Sequence, residues 1–324
     1  MERLSGDTFK PRTLFDFTME FGAQTEYGRL RKVLMHRPDE GMKVVTAGNK
    51  EDYLFRDPVY WREFQAEHDA FTQALRDEGV EVVLLGQVLD RELRGIASKL
   101  PNLVYTRDTA MITKIGACIM RMRYAARFVE PTLVEKAIQR LGIPVALRVE
   151  PPATVEGGDF VWLDEETLLM GYGTRTNEAG VNQLRDALLG RCIKTLVAQP
   201  LPSWRVHLDG ALMVLAPHLA LYNPTALERY PSYVYSEDGV ELRWLGDFLK
   251  ERGVELLRCT DTEVRMFGTN IVGLGDGKCV SYEWNERVIP LLEERGFEVI
   301  PIPGSQLAVG GGGPHCLTCP ILRD

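Results

Sequence analysis

Near its C-terminus the chain carries Gly310-Gly311-Gly312-Gly313-Pro314-His315-Cys316-Leu317-Thr318-Cys319. Four consecutive glycines let a backbone approach a bound molecule closely and adopt φ > 0. A thiol delivered by such a loop is open to a ligand, unlike a packed structural thiol. Cys316 is therefore the candidate nucleophile, and a nucleophilic thiol needs an acid/base partner. Among the five histidines, elimination leaves His207. His36 at a strand end and His68 on a helix face read as structural, and His218 as a solvated turn residue. His315 adjoins Cys316, and neighbours on an extended chain point to opposite sides. His207 precedes Asp209 by two residues, so on an extended segment imidazole and carboxylate share a face and can meet one ligand.

Two more acidic segments join this set: Arg107-Asp108 and Glu156-Gly157-Gly158-Asp159. Gathering Asp108, Glu156 and Asp209 in one pocket is costly without a counter-charge, because like charges resist ionising together. A cationic ligand removes that cost. Guanidinium is planar and pairs with carboxylates through two hydrogen bonds, so the set points to a guanidine substrate. Arg127 and Arg175 lie near the same strand ends and suit the α-carboxylate of an amino acid.

These residues recur at one place in a repeated pattern. After Gly157-Gly158-Asp159 the sequence reads as a strand (Phe160–Leu163), a turn, a returning strand (Thr167–Gly171), and a helix capped by Asn177. That helix carries Val181, Leu184 and Leu188 on one face, and an apolar strand over Ile193–Ala198 follows. Asp108 precedes the strands Ala110–Thr113 and Cys118–Met122 and a helix opening at Pro131. Asp209 precedes Leu212–Leu215 and Ala220–Tyr222. Asn270 precedes Ile271–Leu274, the Gly275-Asp276-Gly277 turn, Cys279–Tyr282, a helix from about Asn285 to Gly296 and the strand Phe297–Ile302. Leu30–His36 with the helix around Trp61, Phe64, His68, Phe71 and Leu75 is a permuted copy, its spacings of 3 and 4 being helical. Intervals of 51, 50 and 61 residues separate Asp108, Asp159, Asp209 and Asn270. A period near 50 means radial repetition of units that cannot bury their faces alone. Five α/β units in a single domain over residues 1–324, with residues 1–25 as an N-terminal extension, would bring the polar residue of each unit to a common axis, where a small-molecule site forms.

The composition agrees with an enzyme-sized globular chain of 324 residues, 45% hydrophobic and 26% charged. Against 46 Asp+Glu there are 38 Lys+Arg, a formal net charge of −8 with no basic tract, so nucleic acid and anionic membrane are not expected partners. No apolar run reaches the roughly 18 residues of a membrane span, and residues 1–17 have no apolar signal region. Six irregularly spaced cysteines suit reduced thiols in a cytoplasmic chain. A homodimer is compatible with these features, and no cofactor or metal is expected.

Together these motifs resemble the guanidino-group modifying enzyme superfamily: arginine deiminase, dimethylarginine dimethylaminohydrolase and the glycine amidinotransferases. Asn102-Leu103-Val104-Tyr105-Thr106-Arg107-Asp108 is similar to the segment carrying the first guanidine-binding aspartate, with Tyr105 at a usual phenylalanine. Arg127 and Arg175 fall at carboxylate-binding positions, Glu156-Gly157-Gly158-Asp159 at the second acidic motif, His207-Leu208-Asp209 at the catalytic histidine motif and Cys316 at the nucleophile. The resemblance implies a five-bladed α/β propeller without cofactor or metal. It further implies that Cys316 attacks the guanidinium carbon to give a covalent thiouronium while Asp108, Glu156 and Asp209 hold the nitrogens and His207 moves protons. Aspartate at 108 and 209 and Glu156 favour a citrulline-forming deiminase of arginine or an arginine derivative. Dimethylarginine hydrolysis and amidino transfer are the alternatives, and His315-Cys316-x-Thr318-Cys319 is similar to the amidinotransferases. Gly311 stands where deiminases carry a further arginine, and their helical insertion is absent.

Two rival readings make different demands. Cys316-x-x-Cys319 as a redox pair should open a helix, but Pro320 follows directly; as half a zinc site it lacks a second pair. A non-catalytic binding module of this fold, as in a ribosome-associated translation factor, would have lost the cysteine and histidine. Residues Gly41–Arg56, of mixed polar composition, are expected to form a lid.

Overall fold

A computed structural model describes residues 20–324, so most of the expected N-terminal extension lies outside the described residues. Its last part is packed: Gly22 bridges to Leu322, and Ala23, Gln24 and Thr25 are buried. The strands, numbered in chain order, build five mixed sheets with one recurring plan. β1 (Leu30–Met35) pairs in parallel with β2 (Glu81–Leu84); β3 (Ala110–Thr113) pairs antiparallel with β4 (Gly116–Ile119), and β4 in parallel with β5 (Val145–Arg148). β6 (Phe160–Asp164), β7 (Thr167–Tyr172) and β8 (Thr195–Pro200) repeat the second pattern. So do β9 (Leu212–Ala216) and β10 (Leu219–Tyr222) with a later strand, once the hairpin β11 (Ser232–Ser236) and β12 (Gly239–Arg243) has intervened before β13 (Glu255–Arg258). The series ends with β14 (Val272–Gly275), β15 (Lys278–Tyr282) and β16 (Glu298–Ile302), after which β17 (Cys319–Arg323) returns antiparallel to β1. Each unit is thus an antiparallel pair plus one parallel strand, and parallel neighbours require a crossover, here always helical.

The N-terminal unit is permuted because its first strand comes from the C-terminus. Its crossover is the helix Trp61–Asp77, which buries Phe64, His68, Phe71 and Leu75. In the β7–β8 crossover, Asn177 accepts a hydrogen bond from Gly180 N and so caps the helix Glu178–Leu188, which buries Val181, Leu184 and Leu188. The 61-residue interval also has a cause. The β11–β12 hairpin is an insertion that leaves its own unit and extends the neighbouring sheet to the order β12-β11-β8-β7-β6. The helix expected over Asn285–Gly296 is shorter, Val288–Glu293. A helix starting at 285 would place Pro290 in its interior; starting at 288, it keeps the proline in the first turn, where no amide donor is required. No helix is long and apolar enough to cross a membrane.

Neighbouring sheets meet through β17 against β3, β6 against β9 and β1 against β14. Apolar clusters fill the spaces between strands and crossover helices, one of them joining Met111, Cys118, Trp162, Leu184 and Leu196. A fully buried Leu of this kind contributes roughly 1.5–3 kcal/mol. That packing leaves the strand-initial turns as the places where polar side chains gather.

Candidate active site

Four short 3-10 turns, each just ahead of an inner strand, carry the polar residues of the repeat. Asp108 lies in Thr106–Thr109, Asp159 in Gly157–Asp159, Asp209 in Leu208–Gly210 and Cys316 in His315–Leu317. The first packs against the second and the fourth, and the second against the third. Side chains tie them together: Thr106 Oγ1 lies 3.2 and 3.1 Å from the carbonyl oxygens of Leu34 and Leu317, and Arg107 Nε donates to the His315 carbonyl at 3.4 Å. Such closeness requires bare backbone at two points. A Cβ on Gly158 would stand 2.5 Å from His207 Nδ1, and one on Gly312 would stand 2.3 Å from the Tyr105 ring.

His207 sits between two carboxylates. Its Nε2 is 2.9 Å from Glu156 Oε2, and its Nδ1 is 3.7 Å from Asp108 Oδ1. Arg175 Nη1 donates to the same Glu156 oxygen at 2.7 Å, and Arg123 N donates to the other at 3.0 Å. Asp108 Oδ2 accepts from Arg127 Nη1 at 2.5 Å, while its Oδ1 accepts from Gly158 N at 3.1 Å. Burial alone would lower the imidazole's proton affinity, but the charges of Asp108 and Glu156 overcome it and carry His207 up to about 9. An imidazolium carries a proton on each nitrogen; here Nε2 faces Glu156 at hydrogen-bond distance, and Nδ1 faces Asp108 at ion-pair distance only. Burial would raise Glu156, yet the His207 hydrogen bond and Arg175 hold it well below the ordinary carboxylate range.

A second histidine lies behind Cys316, off the cavity. His315, fully buried, places Nδ1 2.9 Å from Asp209 Oδ2 and Nε2 3.3 Å from Glu26 Oε2. Asp209 Oδ2 in turn lies 3.6 Å from Cys316 Sγ, so thiol, aspartate, imidazole and glutamate form one line. Burial opposes ionisation of Asp209, but the hydrogen bond with His315 lowers its pKa. The Cys316 thiol is pushed well above its ordinary value, first by burial and then by Asp209 and Asp108. Burial and the two aspartates thus favour the thiol form of Cys316. Asn270 Oδ1 accepts from Cys316 N at 3.2 Å, so the polar residue of the fourth repeat also reaches this centre.

The cavity at this centre is about 60 Å³, lined by Leu54, Tyr105, Asp108, Arg175, His207 and Cys316 among others. That is far below the roughly 300 Å³ at which ligand pockets begin, so an amino acid enters only if a wall moves. Asn102 and Arg127 also border it, but their donors are engaged. Asn102 Nδ2 donates to the Tyr53 carbonyl at 2.8 Å. Arg127 serves Asp108, Glu130 at 2.8 Å, and the Asn102 and Tyr105 carbonyls. Glu156 stands behind His207, and Asp159 stands off the cavity, its Oδ1 accepting from Leu208 N at 3.1 Å. Burial raises Asp159 to about 7, and its Oδ2 has no partner. Of the two arginines expected for a carboxylate, only Arg175 keeps free donors; its guanidinium lies 4.9 Å from the Tyr124 ring centroid. Within the 41–56 segment, Leu54 covers the cavity beside Gly311.

His315 was not expected at the site; it lies in the 3-10 turn His315–Leu317 and reaches Asp209, not the cavity. Its adjacency to Cys316 was the available signal, as repeat position was for Asn270; nothing in the sequence marked Glu26. Asp108, Glu156 and His207 also offer donor atoms within 4.8 Å of one another, a spacing a metal ion accepts. A metal there would have to displace the His207–Glu156 hydrogen bond and compete with Arg127 and Arg175 for the carboxylates. Cys319 is buried, its Sγ donating to the Ala110 carbonyl at 3.6 Å, and both it and Cys316 are free thiols.

The arginine deiminase family model matches residues 51–95 and 95–323. Arginine deiminase of Rhodococcus erythropolis is 27% identical over 400 aligned positions, covering 95% of this chain and 98% of that protein. Among solved structures, dimethylarginine dimethylaminohydrolase from Pseudomonas aeruginosa, complexed with citrulline, superposes with TM-score 0.68 at 18% identity over 91% of this chain and 100% of that one. SxtG, an amidinotransferase from Microseira wollei, superposes at 0.71 and 16% identity over 94% and 97%.

Proposed function

Since the chain belongs to the arginine deiminase family, we propose that it is a cysteine-dependent hydrolase of the guanidinium group of arginine or an arginine derivative, forming citrulline. Its five sheets are read as five blades closing on the axis that holds the site. The observation that carries the proposal is one thiol, Cys316, facing Asp209 at 3.6 Å beside a cavity that a charged His207 also lines. A guanidinium entering between Asp108 and Asp209 adds positive charge beside the thiol. The thiol then releases its proton to solvent, and the thiolate attacks the guanidinium carbon. His207, protonated near neutral pH, donates a proton to the departing amine, which leaves as ammonia, and a thiouronium remains on Cys316. Neutral His207 next takes a proton from water. The hydroxide adds to the same carbon, and the C–S bond breaks to release the urea product and the thiolate. Glu156 holds His207 in place, and Asp159 braces the His207-Leu208 backbone. Arg175 is the arginine with donors free for the substrate carboxylate, with Arg127 holding Asp108.

Incubation with arginine, methylated arginines, agmatine, and arginine plus glycine, followed by mass spectrometry, tests this. Citrulline with ammonia is expected. Citrulline with dimethylamine identifies a dimethylargininase, ornithine formed only with an acceptor identifies amidino transfer, and no reaction of any guanidine refutes the proposal. Cys316→Ser is expected to lose turnover. Thiol titration with and without arginine should show the Cys316 pKa falling on binding; an unchanged value would refute ionisation driven by the substrate's charge.

A further inference from the structure

Next to Asp209 the chain gathers arginines that the guanidine site does not use. Arg205, two residues before His207, donates Nη1 to the Gly210 carbonyl, while its Nε is buried without a partner. It forms one wall of a separate cavity of about 380 Å³, whose other lining includes Trp204, Arg229, Asp261 and Arg265. The guanidinium groups of Arg205 and Arg229 each lie 5.9 Å from the Trp204 ring centroid. Arg229 Nε donates to the Thr225 carbonyl at 2.9 Å, and none of the three arginines has a carboxylate within ion-pair distance among the described residues. Asp261, the cavity's one acid, already accepts from Asn223 Nδ2 at 3.0 Å. Arg56 adds a fourth guanidinium nearby, 4.4 Å from the Phe267 ring centroid and donating to the Arg265 carbonyl at 3.1 Å.

This arrangement mirrors the carboxylate cluster with the sign reversed. A chain of net charge −8 has acids to spare, yet here it sets three guanidiniums against one engaged carboxylate. Like charges gathered in a cavity raise the free energy of the empty state and favour a counter-ion. Guanidinium forks match planar or tetrahedral oxyanions through paired N–H donors. The volume falls within the roughly 300–1,000 Å³ of small-molecule sites. We propose that this cavity binds the oxyanion group, carboxylate or phosphate, of a small molecule beside the guanidine site. The group belongs to an anion separate from the guanidino substrate, whose own carboxylate the proposed function leaves to Arg175. Such an anion would stand close enough to Arg205 to act on the Asp209–Cys316 line.

Titration with inorganic phosphate and with succinate at constant ionic strength, read by tryptophan fluorescence and by calorimetry, tests the site without any turnover. Saturable binding is expected, weakened at least about tenfold in the Arg229→Gln/Arg265→Gln double variant by loss of two charged forks. Trp204→Phe should lose the fluorescence change but keep the heat. Unsaturable binding, or equal affinity in the double variant with an unchanged urea midpoint, would overturn the proposal. Repeating the phosphate titration with arginine and with agmatine separates the sources. Simultaneous binding with both supports a separate anion, whereas competition by arginine alone would place phosphate at the substrate's carboxylate position and overturn the assignment. Displacement by agmatine as well would put phosphate in the guanidine site and overturn the assignment. Because phosphate binding needs no catalysis, failure here leaves the proposed hydrolysis standing, and an inactive enzyme leaves the anion site standing.

Discussion

His207 and His315 are built alike and placed differently. Each is a buried imidazole between two carboxylates, Glu156 and Asp108 for the first, Asp209 and Glu26 for the second. His207 lines the cavity, whereas His315 is fully enclosed and touches the thiol only through Asp209. Identical local chemistry therefore supports two roles. The histidine that reaches the reacting atoms is suited to moving protons, and the enclosed one to holding an aspartate ionised and aimed. Position relative to the cavity separates them, not residue type.

The sharpest way to break this pairing is to remove each histidine in turn. His207→Asn should lower kcat by about 10²–10⁴-fold, the ordinary worth of a general acid/base, with a urea midpoint close to the parent's. Steady-state kinetics beside urea unfolding would show it; equal loss of activity from both histidine variants would erase the distinction. His315→Ala should act mainly on stability, costing about 3–5 kcal/mol because Asp209 and Glu26 would stay buried after losing the imidazole between them. Adding Glu26→Gln to that variant should recover part of the loss, since one stranded charge disappears; no recovery would mean that His315 contributes by packing.

A smaller effect lies in the pH dependence. His207 is raised to about 9 in the folded chain, so its pairing stabilises fully below its unfolded value near 6.5 and fades as pH rises through about 9. Glu26 goes the other way. Burial raises it but His315 brings it down to about 2, so its contribution is present above about 4.5 and is lost as pH falls through 2. The alkaline limb of kcat/KM should therefore fall near pH 9 and stay in place in Glu26→Gln, whereas the acid limb of urea stability should shift in that variant. A limb of kcat/KM that moved with Glu26 would join the two centres into one titrating unit. The smallest effect expected is that of Cys319→Ala, which removes a buried thiol in β17. About 1 kcal/mol of stability and no change in kcat would set it apart from Cys316.

Much of the plan was legible because repetition amplifies weak signals. An aspartate before one strand is ordinary turn chemistry, but three at intervals of 51 and 50 residues are a pattern, and each proved to lie in a 3-10 turn of the same kind. The permuted first unit was visible from the helix over Trp61–Leu75, although its partner strand comes from the far end of the chain. The β11–β12 hairpin was missed even though its two strands flank a Glu237-Asp238-Gly239 turn. It joins the sheet of a neighbouring unit, and pairing between units leaves no local trace. His315 was set aside as the partner of Cys316, and it does stay off the cavity, though in a 3-10 turn and not on extended chain.

Residue types, their order and their period were enough to read an α/β repeat, a thiol on a glycine loop and a set of acidic residues brought to one place. These are one-dimensional properties, carried by hydrophobic alternation and turn chemistry that act within a few residues. Only the tertiary structure decided which charges face one another: that Arg127 is spent on Asp108 and Glu130, that Glu26 reaches His315 across 289 residues, and that Arg205, Arg229 and Arg265 share a cavity. Coulomb interaction depends on distance in space and on burial, and the chain reveals neither until its sheets are packed.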